Sequence, residues 1–196
     1  LREVLRTFAE RGLLVRRQGI GTFVASRMPV LETGLEVLES LDRMAARLGL
    51  TAEMTRLIVE ERSATPLELE RLGRSTSTEV LVISRVIAVG GTPVADLTDI
   101  VPVETLRRAD LGADFRGSVL DIFLTRGSPL LSLSRTEILA ESAGDSRSGR
   151  LGVSPDTPLL VLVAQLYSFD ERIVDYSVSA FVPGYFRIHV MRQVRP

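Results

Sequence analysis

The sequence predicts an α+β fold, a mainly antiparallel sheet with short helices between its strands. Two strand pairs carry this prediction. Apolar runs at Val80–Val89 and Pro93–Val101 flank a Gly-Gly-Thr turn, and those at Leu159–Phe169 and Ile173–Phe181 flank an Asp-Glu-Arg turn. Because helix signals fall between consecutive antiparallel strands, the order indicates an α+β rather than a parallel α/β architecture.

The chain begins with one helix and one hairpin. Within Leu1–Phe8, apolar residues recur at i, i+3, i+4 and i+7, the spacing of one helical face, and Gly12 is placed to end that helix. The apolar runs Leu13–Val15 and Thr22–Val24 then predict two short strands. The intervening turn, Arg16–Gly21, joins basic side chains to a tip with two glycines, which allows close approach to a narrow groove.

Capping residues place the later helices. Thr65 before Pro66 and Ser118 before Asp121 have the spacing of helix starts, and Gly49 is placed to end a helix. In chain order, the remaining predicted elements are a helix over 35–48, a strand over 55–62, a helix over 66–72, the first strand pair, a helix over 118–125, a strand over 129–140, a weak helix over 142–152, the second strand pair and a last strand over 185–192.

Composition restricts the function. The chain has 196 residues, 45% of them hydrophobic, and a net charge of -1, which argues against nucleic-acid binding over the whole surface. The charge is uneven, because residues 1–27 hold six Arg against two Glu, whereas residues 28–196 hold eighteen Arg against twenty-three acids. A basic reader followed by a slightly acidic body is typical of a regulator with a sensor.

Several chemistries lack their residues. There is no cysteine and only one histidine, His189, so the sequence predicts no disulfide, no metal site and no Ser-His-Asp arrangement. No cofactor is predicted. No apolar run reaches the length of a membrane span and no signal peptide is visible, so we expect a cytoplasmic protein without a membrane partner. Because the chain begins at Leu1, we also expect it to be a fragment.

The segment Leu1–Val24 resembles the GntR family of bacterial transcription regulators, in which a helix, a glycine stop, an Arg-Arg pair and a Gly-x-Gly-Thr-Phe-Val wing follow in this order. The resemblance implies a winged helix that lacks its first helices, and Ile20 stands where a basic residue is common. An ordinary helix and hairpin is the alternative. The DNA contacts implied for the recognition helix and wing are Arg2, Arg6, Arg16, Arg17, Gln18, Gly19, Gly21 and Thr22.

The rest of the chain resembles the UTRA ligand-sensing domain of the HutC-like branch of that family, an antiparallel sheet similar to chorismate lyase. The phrases that carry the resemblance are Arg85–Pro93, Gly117–Phe123, Leu151–Leu160 and Val174–Arg187. The implied domains are a partial winged helix over 1–26, a linker over 27–34 and a UTRA domain over 35–196.

The resemblance implies a regulator, not an enzyme, whose small-molecule effector changes operator binding by favouring one arrangement of sensor and reader. A homodimer is expected, because operator half-sites are read by two-fold proteins. One alternative is a chorismate-lyase-like enzyme, in which Arg85 would bind a carboxylate and Asp175 would supply an acid. Another is a stand-alone small-molecule-binding module, and a third is a module that binds only proteins.

The resemblance also implies an effector pocket. Sugar-phosphate sensors of the family carry two arginines one residue apart, which match Arg85 and Ile87 here, and Leu97 stands where the family often has Glu. Because Ile87 removes half of a phosphate clamp, a carboxylate or a neutral polar metabolite is expected as the effector. Arg85 could instead be a surface or ion-paired arginine. Arg85→Ala is expected to abolish effector binding with little change in the melting temperature.

Further pocket residues follow from the same comparison. Asp175 matches a late acidic residue, Ser177 shares its face, and Phe181 stands where Tyr is common. Asp99 has the same parity as Leu97 on the return strand.

Two more candidates each have an alternative reading. Ser118 is implied as a polar contact at the start of a helix, or acts only as a helix cap. Arg135 is a candidate contact within an apolar strand, or simply the charge partner of Glu137.

Overall fold

The computed structural model describes residues 14–17, 21–24, 31–113, 115 and 117–190. The chain divides into two compact units, Leu1–Val30 and Leu31–Pro196. In the first unit, β1 (Leu14–Arg17) pairs with β2 (Gly21–Val24) in antiparallel register, so the hairpin strands are longer than predicted and the connection is shorter. The predicted first helix, with Arg2 and Arg6, and the wing-tip residues Gln18 and Gly19 lie outside the described residues.

The α-helices and strands of the second unit are β3 (Leu31–Gly34), α1 (Leu41–Arg47), β4 (Ala52–Ser63), α2 (Pro66–Arg71), β5 (Glu79–Val89), β6 (Thr92–Pro102), α3 (Val119–Arg126), β7 (Leu131–Ser142), α4 (Gly144–Leu151), β8 (Pro158–Ser168), β9 (Ile173–Phe181) and β10 (Phe186–His189). Six of the strands form an antiparallel sheet with the strand order β4-β5-β6-β9-β8-β7. A separate parallel pair joins β3 to β10. The α+β prediction is therefore confirmed.

The sheet buries apolar side chains on both faces, because alternate residues of a strand point in opposite directions. On β5, Leu81 and Ile83 pack with Phe123 of α3. Val86, on the opposite face, packs with Leu151 of α4, and Val80 packs with Leu72 at the end of α2. The α3 face is only partly filled by helix, and the open part of that face holds the site described below.

Local capping explains where two of the helices begin. Thr65 accepts a hydrogen bond from the backbone N–H of Glu68, and the Glu68 side chain accepts one from the N–H of Thr65, a capping box with Pro66 at the first helical position. Ser118 accepts from the N–H of Asp121 at 3.0 Å and so caps α3. Both predicted starts are confirmed.

The helix predicted over 35–48 is wrong in its first half, since α1 begins only at Leu41, after the cap Ser40. Leu35 and Leu38 have helical spacing, but they line a cavity instead of packing along a helix. Residues 31–34, predicted as the end of a linker, form β3, whose partner β10 lies more than 150 residues further along the chain. The last strand is also shorter than predicted and ends at His189.

Candidate functional site

A cavity of about 580 Å³ lies on the α3 face of the sheet. Its floor is set by the strand register, because directly paired residues of antiparallel strands share a face. Two rows of side chains cross the floor from β7 to β5. The first row is Thr136, Ala164, Ser177 and Asp99, which pairs with the core residue Ile83, and the second is Ile138, Leu162, Ser179, Leu97 and Arg85.

Arg85 lies at the base of the cavity and is 4% exposed. Its guanidinium forms a salt bridge with Asp99, which stands diagonally across the β5–β6 pair. The same guanidinium donates from Nη1 to the carbonyl of Ile83 at 3.2 Å and from Nε to the carbonyl of Gly117. Much of its hydrogen-bonding capacity is therefore already used by the protein itself.

Gly117, which directly precedes the cap of α3, brings its backbone carbonyl against the Arg85 side chain. Its φ of 104° lies in the left-handed region that favours glycine. A Cβ placed there would be 3.3 Å from side-chain atoms of both Ile87 and Met54. The glycine thus lets the backbone approach β5 closely enough for its carbonyl to accept from Arg85.

Asp175 of β9 is the second buried carboxylate of the cavity and is 5% exposed. Burial raises the pKa of its carboxyl well above the usual range, and the charge of Asp99 and a hydrogen bond with it raise that pKa further. Arg85 and the backbone N–H of Ile100 act in the opposite direction. Within the described part of the chain, no group forms a hydrogen bond with the Asp175 Oδ1 atom.

The mouth of the cavity is formed by the chain from the end of β3 to the start of α1. All nine residues from Gly34 to Asp42 line the cavity, and Val37 and Leu38 are 72% and 50% exposed. On the far side, Phe181 and Phe186 meet edge to face with ring centroids 4.8 Å apart. The walls also carry hydroxyl groups from Ser40, Ser118, Ser132, Ser134, Thr136, Ser177 and Ser179.

The structure brings most of the predicted effector residues together. Arg135 is the exception, because Ser134 and Thr136 face the cavity and the residue between them faces away. The Arg135 side chain is 65% exposed, lies 3.6 Å from Glu137 and does not line the cavity. The eight that line the cavity are Arg85, Ile87, Leu97, Asp99, Ser118, Asp175, Ser177 and Phe181.

Sequence reasoning missed two parts of the lining. Ser132, Ser134 and Thr136 recur at every second position of β7, so their alternation predicts a shared hydroxyl-bearing face. The charge of Arg135 favoured the opposite face instead. The Gly34–Asp42 wall was missed because its leucines were assigned to the stripe of a helix.

Within the described residues, no group of three or more His, Asp or Glu side chains could hold a metal ion. No helix in this part of the chain is long and apolar enough to span a membrane.

Comparisons with known proteins agree with this architecture. The family model of the UTRA domain matches residues 47–187. The HTH-type transcriptional repressor NagR of Bacillus subtilis (strain 168) is 25% identical over 182 residues, which cover 92% of this chain and 73% of NagR.

Solved structures share the fold. PhnF from Mycobacterium smegmatis has a TM-score of 0.82 at 22% identity, with 99% of this chain and 84% of PhnF covered. The effector domain of PhnF has a TM-score of 0.69 at 19% identity, with 79% of this chain and 95% of that domain covered.

An antiparallel sheet that carries a lined cavity beside short helices fits the ligand-sensing class of domain that the sequence resemblance implied. The chain belongs to the UTRA-domain family. It is a transcriptional regulator of the GntR type, in the HutC-like branch, with a ligand-sensing domain, as its sequence resemblance implied.

Proposed function

We propose that residues 35–196 sense a cytoplasmic metabolite and thereby change operator binding by a partial winged helix over 1–26, with a linker over 27–34. The observation that supports the sensing role is the cavity itself, because eight residues predicted from the sequence line it together. Its volume of about 580 Å³ is within the range of small-molecule sites.

The effector we propose is a carboxylate or a neutral polar metabolite rather than a sugar phosphate. Ile87 and Leu97 leave the floor with one arginine, and Arg85 is already paired with Asp99. A phosphate group needs several charge-assisted donors, which this floor does not add. The hydroxyl-bearing walls suit neutral polar groups.

A thermal-shift screen tests the cavity. A ligand that binds only the folded state at a hundredfold excess over Kd adds about 2.7 kcal/mol of stability, which raises the melting temperature by several degrees. Carboxylates, polyols and hexosamine phosphates form the three arms. We expect shifts in the first two arms, which Ser179→Phe should abolish by filling the cavity. A largest shift from a hexosamine phosphate would contradict the effector class.

The proposed DNA contacts rest on the sequence resemblance. In a chain extended to a complete winged helix, Arg2→Ala and Arg17→Ala should each weaken operator binding and lower the dependence of affinity on salt, because each removes a phosphate contact. Without that extension, residues 1–196 should bind DNA weakly and without sequence preference. An unchanged salt dependence in both variants would exclude these arginines from the interface.

We also propose a homodimer formed through the open edge of β7. The sheet has two edges, and the pairing of β4 is irregular between Thr55 and Ile58, which disfavours edge pairing. The register of β7 is continuous from Leu133 to Ser142, and Leu139 on this strand is 41% exposed. An open strand with exposed apolar side chains is suited to pairing with a second copy.

Light scattering tests the dimer. Leu139→Lys should shift the chain toward monomer, because it places a charge on the edge strand. Leu67→Lys, at a 55% exposed position on α2, should leave the mass unchanged. A dimer that persists in the Leu139 variant would exclude this edge.

The relatives named above are regulators, which supports a role without catalysis. The enzyme alternative is tested by following chorismate absorbance. Turnover that depends on Arg85 and Asp175 would favour the lyase, and its absence together with a thermal shift would favour the sensor.

A further inference from the structure

The charges that line the cavity are mostly negative. Among the described lining residues, Arg85 is the only base. The acidic ones are Glu36, Glu39, Asp42, Asp99 and Asp175. Glu39 forms a salt bridge with Arg47 at 2.8 Å. Asp99 and Asp175 are the buried carboxylates of this set.

On the floor, one positive charge faces two carboxylates. Arg85, Asp99 and Asp175 come from three adjacent strands, β5, β6 and β9, and each is less than 8% exposed. Arg85 forms its salt bridge with Asp99. Burial of a second, uncompensated carboxylate is costly, so the empty cavity favours a protonated Asp175. The floor is then electrically neutral.

The Asp175 Oδ1 atom marks where a donor is missing. It is buried, it belongs to a side chain that lines the cavity, and no group in the described chain forms a hydrogen bond with it. A buried acceptor without a donor costs stability in the unliganded protein. Ser177, two residues along β9, shares its face and supplies a hydroxyl beside it.

We infer that the effector carries, besides its carboxylate or hydroxyl groups, a protonated amine, which docks on the Asp175 carboxylate beside Asp99 and displaces the proton held there. This inference rests on the proposed function, because it assigns the chemistry of the proposed effector site. An alkylammonium has three N–H donors, enough for Asp175, Asp99 and Ser177. The displaced proton leaves to solvent, so that two carboxylates then face Arg85 and the ammonium, and the floor remains neutral.

The other charged groups of the lining act in the same direction. Glu36 and Glu39 line the cavity from the segment between β3 and α1, and Asp42 lines it from the first turn of α1. Among the described residues, α3, β7, β8 and β10 contribute only uncharged side chains to the lining. Amine affinity should therefore rise with pH as Asp175 gives up its proton more readily, and fall again where the amine itself loses its charge.

Matched probes test the amine. Putrescine, glucamine and tyramine are each compared with the alcohol of the same skeleton, which are butanediol, sorbitol and tyrosol. We expect at least one amine to raise the melting temperature by several degrees more than its matched alcohol does. Calorimetry in two buffers of different ionisation enthalpy should then show release of about one proton per bound amine, since the ammonium replaces one proton.

Two variants separate the carboxylate from general effects of substitution. Asp175→Asn keeps the shape and removes the charge, so the amine shift should be lost. Asp96→Asn makes the same change on the opposite face of the sheet, where Asp96 contacts Arg150 at 2.8 Å, and should keep the amine shift. Carbon-detected NMR of the wild-type chain should show that Asp175 is protonated near neutral pH in the empty cavity.

Distinct outcomes overturn distinct claims. Equal shifts from amines and alcohols, an amine shift that survives in Asp175→Asn, or an ionised Asp175 in the empty cavity would overturn the inference. A shift from carboxylates or polyols but from no amine would overturn the inference and leave the proposed function intact. No shift from any arm would overturn both.

Discussion

At the scale of single residues, Arg85 is the buried counterion of Asp99. Arg85→Ala would leave a buried carboxylate without its partner, which typically costs about 3–5 kcal/mol. For a chain of this size the melting temperature falls by about 2–4 °C per kcal/mol, so we expect a loss of roughly 10 °C by calorimetry. This revises the expectation from sequence that the unliganded melting temperature would barely change.

Arg135→Ala is the matched control, because the Arg135 side chain is 65% exposed and lies 3.6 Å from Glu137. Its removal should change the free energy of unfolding by less than about 0.5 kcal/mol. Replacing both partners, Arg85→Met with Asp99→Leu, should recover part of the lost stability, since no unpaired charge is then buried. Equal melting temperatures for Arg85→Ala and wild type would refute the counterion role.

The face of each site residue was predictable, but its row was not. Strict alternation places Asp175 and Ser177 on one face, as the structure shows. The Arg85–Asp99 pair depends on how β5 is registered against β6, and the Asp99–Asp175 proximity depends on β6 lying beside β9. Register and strand order are long-range properties, so a local pattern does not determine which charges meet.

At the scale of elements, the start of α2 depends on one carboxylate. Glu68 accepts from Arg62 in two hydrogen bonds of 2.8 Å and from the N–H of Thr65, and these contacts lower its pKa from 4.5 to about 2. A lowered pKa stabilises the fold above 4.5, and this contribution is lost as the pH falls toward about 2. Solvent screening of Arg62 reduces the contribution to about 2 kcal/mol.

Glu68→Gln should therefore lower the free energy of unfolding near neutral pH by that amount and flatten its decline in the acid range. Urea denaturation across the pH range measures both effects. Glu70→Gln, on the exposed side of the same helix, should retain the wild-type profile. A Glu68 variant with an undiminished acid decline would show that another group causes it.

Elements with local signals were predicted well. Thr65 and Ser118 cap their helices through contacts three residues away, so the sequence alone locates those helix starts. The start of α1 was misplaced, because Leu35 and Leu38 are apolar for the sake of the cavity. The pairing of β3 with β10 joins opposite ends of the unit and has no local signal at all.

At the scale of the whole molecule, the segment through which the chain enters the second unit is also part of the cavity wall. The backbone enters the second unit through β3, and the nine residues from Gly34, the last residue of β3, to Asp42 form a wall of the cavity. The strand that precedes this wall pairs with β10 over four residues. A ligand that contacts the wall therefore acts on a segment that is close in sequence to the proposed reader.

We therefore expect ligand and operator to change each other's affinity by the same factor, within about 5–150-fold, in a chain extended to a complete winged helix. The ligand with the largest thermal shift is titrated with and without operator, and the operator with and without ligand. Replacing Val37 and Leu38 with glycine should loosen the wall and bring this factor toward one. Leu130→Gly, at a 66% exposed position outside the cavity, should preserve it. An unchanged factor in the wall variant would exclude this route of coupling.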